Sequence, residues 1–205
     1  MKKLITLLSG IFLTGCSVMG IRTSKEPDFR IVADHGAVQI RYYPELLVAE
    51  TLVNADYGEA GRIGFNRLAN FIFGGNVQQQ SMAMTTPVYR DAVGENIAMT
   101  APVLQEAKNE RWSMQFVMPS QYTLETLPTP LDETVKIKIV PARKVAVLTY
   151  SGSLNAERIT EKSAELSDWL VSHALRPLSS ARSAAYDPPW TLPALRRNEI
   201  HIDIE

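Results

Sequence analysis

The sequence is poor in the side chains that build disulfide, metal and redox sites, with one Cys and three His among 205 residues. A lone Cys forms no internal disulfide, and with three scattered His it completes no Cys/His zinc site. Charge of either sign is not in excess: 21 Lys and Arg against 22 Asp and Glu leave a net charge of −1. No cluster of basic and aromatic residues marks a phosphate-binding face, which excludes nucleic acid as a partner. Enzyme signatures are missing too. There is no His-Glu-x-x-His, no Gly-x-Ser-x-Gly and no phosphate-cradling glycine loop, so no catalytic residue is assigned and the chain is expected not to be an enzyme. Carboxylates such as Glu50, Glu59 and Glu199 are the only acid/base candidates, for a small hydrolase as the least favoured reading.

The one long apolar run, Leu4 to Leu13, follows the basic head Lys2-Lys3. It has about half of the ~20 apolar residues a membrane-spanning helix needs, and reads as a signal peptide over residues 1–15. It ends in Leu13-Thr14-Gly15-Cys16, which resembles the lipobox of bacterial lipoproteins. There the thiol takes a diacylglyceryl group and cleavage makes the Cys the new N-terminus. Two or three acyl chains, at ~0.8 kcal/mol per buried CH₂, anchor a protein firmly. Ser17 follows the Cys, where the sorting pattern for inner-membrane retention has Asp. The expectation is an outer-membrane lipoprotein facing the periplasm, with residues 16–27 as lipidated Cys and polar tether.

What remains, residues 28–205, is of a length that one core can serve. It carries an internal repeat. Val38 to Ala49 matches Val135 to Ala146 at an offset of 97, with five identities in twelve positions. Both copies alternate apolar and polar residues up to Pro44 or Pro141 and then resume a β-rich run, which predicts strand, turn, strand. Each is followed by a helical pattern. The first runs from about Asp56 to Phe73, capped by Asn54 or Asp56 and stopped by Gly74-Gly75; the second runs from about Asn155 to Leu175, capped by Ser153 or Asn155 and ended by Pro177. At an offset of 98, Leu68 meets Leu166 and Phe71 meets Trp169. Residues 82–88 and 97–103 share five of seven positions and predict a hairpin. Residues 112–118 and 199–205 alternate as two further strands. The fold class is α+β: duplicated β-β-α units, with halves about 28–105 and 106–205, forming a distorted antiparallel barrel with two helices packed outside it.

Four ordered motifs then come together: Ile97-Ala98-Met99-Thr100-Ala101-Pro102-Val103, the Trp112 to Pro119 strand, Leu127-Pro128 with Pro130, and Tyr186-Asp187-Pro188-Pro189 followed by Arg196-Arg197-Asn198-Glu199. In this order they resemble the SOUL heme-binding family, over nearly all of the chain from Phe29 onward. The resemblance implies a distorted barrel related to effector-binding domains. It also implies binding of heme or a related tetrapyrrole in an apolar cleft beside the first helix and the loop before the last strand. That cleft maps to Phe65, Arg67, Leu68 and Trp190. A proposed axial His of the family falls where this chain has Tyr42, so weak or no axial coordination is expected.

The residues themselves leave alternatives open. Tyr42 is a weak candidate for heme iron, as tyrosinate ligates ferric heme in catalase, or a strand aromatic. Met82, Met84 and Met99 form either an adaptable cleft wall or core filling. Gly61 and Gly64 lie inside the first helix, where Gly costs ~1 kcal/mol relative to Ala, so something approaches closely there: a ligand or the underlying sheet. Arg62 and Arg67 pair with ligand carboxylates or with the protein itself. His35 reads as a turn residue, His173 as a cation at a helix end, and His201 as facing away from Ile200, Ile202 and Ile204. The alternative to a tetrapyrrole is another amphipathic small molecule, or a structural or interaction role in the envelope.

Overall fold

In the structure, a computed structural model that describes residues 24–78, 81–92 and 111–205, nine antiparallel strands form one sheet curled into a half-barrel with two helices on its outer face. The strands are β1 (Arg30–His35), β2 (Val38–Tyr43), β3 (Leu46–Asn54), β4 (Val88–Ala92), β5 (Arg111–Val117), β6 (Val135–Val140), β7 (Arg143–Tyr150), β8 (Arg182–Ala185) and β9 (Asn198–Ile204). The helices are α1 (Tyr57–Ile72) and α2 (Ala156–Ser172). The expected signal peptide over residues 1–15, Cys16 and the 97–103 motif with Met99 lie outside the described residues. Among the described residues no helix is long and apolar enough to cross a membrane.

The repeat is visible in the sheet order, β1-β2-β7-β9-β8-β4-β5-β3-β6. Leaving out β1, exchanging each strand for its repeat counterpart reverses this order, so the two units are related by a twofold through the β8/β4 seam. The strands that flank each Pro do not pair with each other. Instead β2 pairs with β7, Ile40 opposite Ala146, while β3 pairs with β6, Ala49 opposite Ile137. Each unit thus lends its first strand to the other, and neither half completes its sheet alone. The first unit also runs further than the sequence suggests: β5, expected in the second half, pairs with β3 and β4 and completes the first. The strand expected at 82–88 starts only at Val88, because Pro87 has no N–H to give to a ladder. β4 pairs with β5 on one side and β8 on the other.

Alternation then sorts the side chains. On the outer face of the second unit, Val38, Ile40, Ala146, Leu148, Ile200, Ile202 and Ile204 pack under Leu166 and Leu170 of α2. On that of the first, Ala49, Met114, Phe116 and Val135 pack under Leu68, Phe71 and Ile72 of α1, with Met82 closing the layer. Both helix starts have side-chain caps. Asp56 accepts from the N–H of Glu59 at 2.9 Å, and Asn155 accepts from that of Arg158 at 2.9 Å. α1 stops where Gly74 takes a φ of 111°, a conformation in which a Cβ would be strained.

Candidate functional site

The inner face of the half-barrel is where the sheet places its polar residues. Tyr43, Tyr89, Val145, Val147, Ala184 and Tyr186 line it as a third apolar cluster, and Glu199 and His201, both fully buried, stand among them. Glu199 is the hub. Arg41 on β2 donates to both of its oxygens at 3.1 Å, Arg197 donates to Oε1 at 2.7 Å, the Tyr186 hydroxyl donates to Oε2 at 2.6 Å, and His201 Nε2 lies 2.7 Å from Oε2. Burial works against the Glu199 charge, but the His201 hydrogen bond and the Arg41 and Arg197 charges hold its carboxyl well below the usual range. Burial pushes the His201 imidazole down, against the pull of Glu199 and with help from Arg182 and Arg41. His201 is then neutral at neutral pH, with Nε2–H donating to Glu199 and Nδ1 buried without a partner. Arg197 also pairs with Glu26 at 2.9 Å, which ties the segment before β1 to the floor. A carboxylate saturated in this way has no lone pair to offer a ligand, and the floor holds the fold together.

A groove of about 740 Å³ lies between the 25–28 segment, Glu45 and Leu46, and the 117–125 loop. Its rim carries Glu26, Asp28, Glu45 and Glu125 against a single Lys25. Among the described residues, none of those expected to bind ligand lines it.

Those residues divide by place. Leu68 and Met82 are core residues, closed to solvent, and Met84 packs partly buried beside them. Arg67 does not reach outward. It donates to Thr51 Oγ1 at 3.3 Å and to the Leu52 carbonyl at 3.2 Å, clamping α1 to β3. Phe65 is 40% exposed on α1 with its ring 5.5 Å from that of Phe116. Tyr42 is 38% exposed on β2, with the Arg30 guanidinium 5.7 Å from its ring centroid. Trp190, 63% exposed, projects from the loop between β8 and β9 together with exposed Leu192 and Leu195. That loop is built rather than loose: Arg196 donates to the carbonyls of Thr191 at 2.8 Å and Pro189 at 2.5 Å, and the Arg197 N–H donates to Asp187 at 2.7 Å. Phe65, Leu68, Met82 and Met84 therefore gather around α1, whereas Tyr42 and Trp190 stand on separate elements of the second unit's side.

The sequence did not point to Arg90. On β4 beneath α1, its guanidinium lies 4.3 Å from the Tyr57 ring centroid and donates to the Tyr57 carbonyl at 3.2 Å, with no carboxylate among the described residues paired to it. Burial lowers its pKa. Beside it the Tyr57 hydroxyl and Trp112 Nε1 are buried with no hydrogen-bond partner among the described residues, and their rings meet edge to face at 5.3 Å. The signal was Gly61, since a Cβ there would lie 2.2 Å from Arg90 Nη2. Gly64 likewise clears Met114, whose Cβ would be 3.2 Å away. The close approach implied by both glycines is thus to the sheet.

The sequence matches the family described as SOUL heme-binding protein over residues 24–203. The chain belongs to the SOUL family. Heme binding is accordingly its family-level function. No curated protein matches it. Among solved structures it resembles the EcmrR C-terminal domain at 13% identity and a TM-score of 0.57, covering 82% of this chain and 96% of that one. It also resembles a hydrolase encoded by lin2189 from Listeria innocua at 12% identity and a TM-score of 0.56, covering 85% and 94%. At these identities the likeness is one of fold, and it places this SOUL chain among effector-binding-like folds.

Proposed function

We propose that the protein is a lipid-anchored, periplasm-facing binding protein for heme or a related tetrapyrrole, held by apolar contact and carboxylate pairing with weak or no axial coordination. The family match over residues 24–203 carries this reading. A bound heme supplies its iron chemistry; the chain supplies a surface and counter-charges. Trp190, Leu192 and Leu195 on a braced loop and, apart from them, Phe65 on α1 are large apolar side chains presented to solvent, each suited to contact with a flat macrocycle. Arg90, a guanidinium with no carboxylate partner among the described residues, and the Tyr57 and Trp112 donors beside it, likewise without a hydrogen-bond partner among them, suit a propionate. The donor set fits a tetrapyrrole in those two respects and does not fit strong ligation, because no His stands on α1 or on the Trp190 loop.

Trp190→Ser is expected to weaken hemin affinity about tenfold or more by loss of an exposed aromatic anchor, while Tyr42→Phe leaves it within about twofold; a Soret titration reads both. A large loss in Tyr42→Phe alone would instead make its phenolate the iron ligand. Separately, Cys16→Ser is expected to move the protein from the detergent phase to the aqueous phase on Triton X-114 partition and to abolish palmitate labelling. Retention of label would place the lipid elsewhere.

The groove beside the 117–125 loop favours a second reading. Its acidic rim disfavours a dianionic tetrapyrrole and suits a cationic or neutral amphipathic molecule, in a volume within the usual ligand-site range.

A further inference from the structure

The three histidines are scattered in sequence, but folding brings two of them together on the surface. His35 lies at the end of β1, in the turn to β2, and His173 is the C-cap residue of α2. Their ring centroids are 5.7 Å apart, and Trp169 touches both, stacked on His173 at 3.9 Å and tilted against His35 at 5.2 Å. We propose that His35 and His173 together form a binding site for a divalent transition-metal ion of the imidazole-preferring class, of which Cu²⁺ is the tightest-binding member.

Four features support it. The first is the His173 tautomer: Nδ1 lies 2.8 Å from the Trp169 carbonyl oxygen, an acceptor only, so Nδ1 carries the proton and Nε2 keeps its lone pair. A backbone carbonyl on the far nitrogen is the usual way a metal-ligating His is oriented. The second is His35, whose ring has no hydrogen bond among the described residues, while the carboxylate of neighbouring Asp34 is taken by the Gly36 N–H and Gln39. Its side-chain torsions are therefore open to bring a nitrogen to the same point. The third is spacing. With metal–nitrogen bonds of about 2 Å, two imidazole centroids sharing one ion lie at most about 6 Å apart, and the observed pair is inside that limit. The fourth is the helix: a cation at the C-terminal end of α2 meets the negative pole of its dipole and its terminal carbonyls.

Among the described residues no third His, Cys, Asp or Glu joins the pair. Water then completes the coordination sphere, which leaves open positions on the ion. Two nitrogens and no carboxylate select the imidazole-preferring ions over Ca²⁺ and Mg²⁺, which demand oxygen ligands. The site stands apart from α1 and the Trp190 loop, so it holds or fails independently of heme binding.

Trp169 is a built-in reporter, since paramagnetic Cu²⁺ beside its ring quenches its fluorescence. The test is titration of the untagged protein with CuCl₂ in aqueous buffer, with Cys16→Ser throughout so that neither a lipid nor an unmodified thiol is present. The expected result is saturation at one equivalent, with nitrogen hyperfine structure in the electron paramagnetic resonance spectrum and partial quenching of tryptophan fluorescence. His35→Ala and His173→Ala should each weaken binding at least tenfold with the circular dichroism spectrum unchanged. Trp169→Phe should remove the quenching while the resonance signal still saturates at one equivalent. Quenching without saturation, or an affinity that either histidine substitution leaves unchanged, would overturn the proposal.

Discussion

Replacing Glu199 by Gln is expected to cost the fold about 3–5 kcal/mol, measured by urea unfolding at pH 7, because the change leaves buried cations without their counter-ion. Arg41 is nearly as buried as the carboxylate it pairs with, and Arg197 keeps only Glu26. Gln fills the same space, so the loss is electrostatic rather than a cavity. The amide also turns an NH₂ toward donors that previously met an acceptor. The pH dependence has a definite sign. The Glu199 carboxyl is lowered on folding, so its contribution is complete above its ordinary value of 4.5 and is lost as pH falls toward its folded value. The His201 imidazole is lowered as well, from an ordinary value of 6.5, so the unfolded chain takes up a proton first and stability declines as pH falls below about that point. Wild type should therefore lose stability steadily on acidification, with Glu199→Gln losing much less below pH 5. A cost under about 1 kcal/mol at pH 7 would mean that solvent reaches the hub.

The second large effect is in the core. Leu68→Ala is expected to cost about 2–5 kcal/mol in the ligand-free protein, because Leu68 is fully buried among Phe71, Ile72, Met82, Met114 and Phe116. Leu166, its counterpart at an offset of 98 and equally buried on the sheet-facing side of α2, should show a similar cost. The residue maps to the family's ligand cleft, so its packing role and a ligand role have different readouts. Packing lowers the urea midpoint and leaves the hemin affinity of the folded fraction within a fewfold of wild type. An unchanged midpoint with a collapse in hemin affinity would restore Leu68 to the ligand.

Much of the fold was legible because it is written in local patterns. The period-2 runs at 38–43, 46–54, 135–140, 143–150 and 198–204 are strands, and the helical periods produced α1 and α2 with Asp56 and Asn155 as caps. The repeat announced the twofold. It did not announce the exchange of β2 and β6 between units, since which strands pair is decided by non-local contacts and not by either copy alone. The same limit hid the polar hub. Arg41 and Glu199 are 158 residues apart, and on its own strand each looks like a solvent-facing charge. It also hid the His35 and His173 pair, each of which has an ordinary local explanation. Gly61 is the intermediate case: the cost of Gly in a helix signalled a close neighbour, and only the register of β4 under α1 identified it as Arg90.

The central claim is that this SOUL family member binds a tetrapyrrole at its own surface residues without a strong protein ligand to iron. Titrating the purified protein with hemin, and in parallel with metal-free protoporphyrin, tests it most directly. The account predicts saturable binding of both at micromolar concentration, with affinities within about an order of magnitude of each other because apolar contact and propionate pairing dominate. Failure of both to saturate would contradict tetrapyrrole binding, and saturation by hemin alone would contradict the absence of a strong axial ligand.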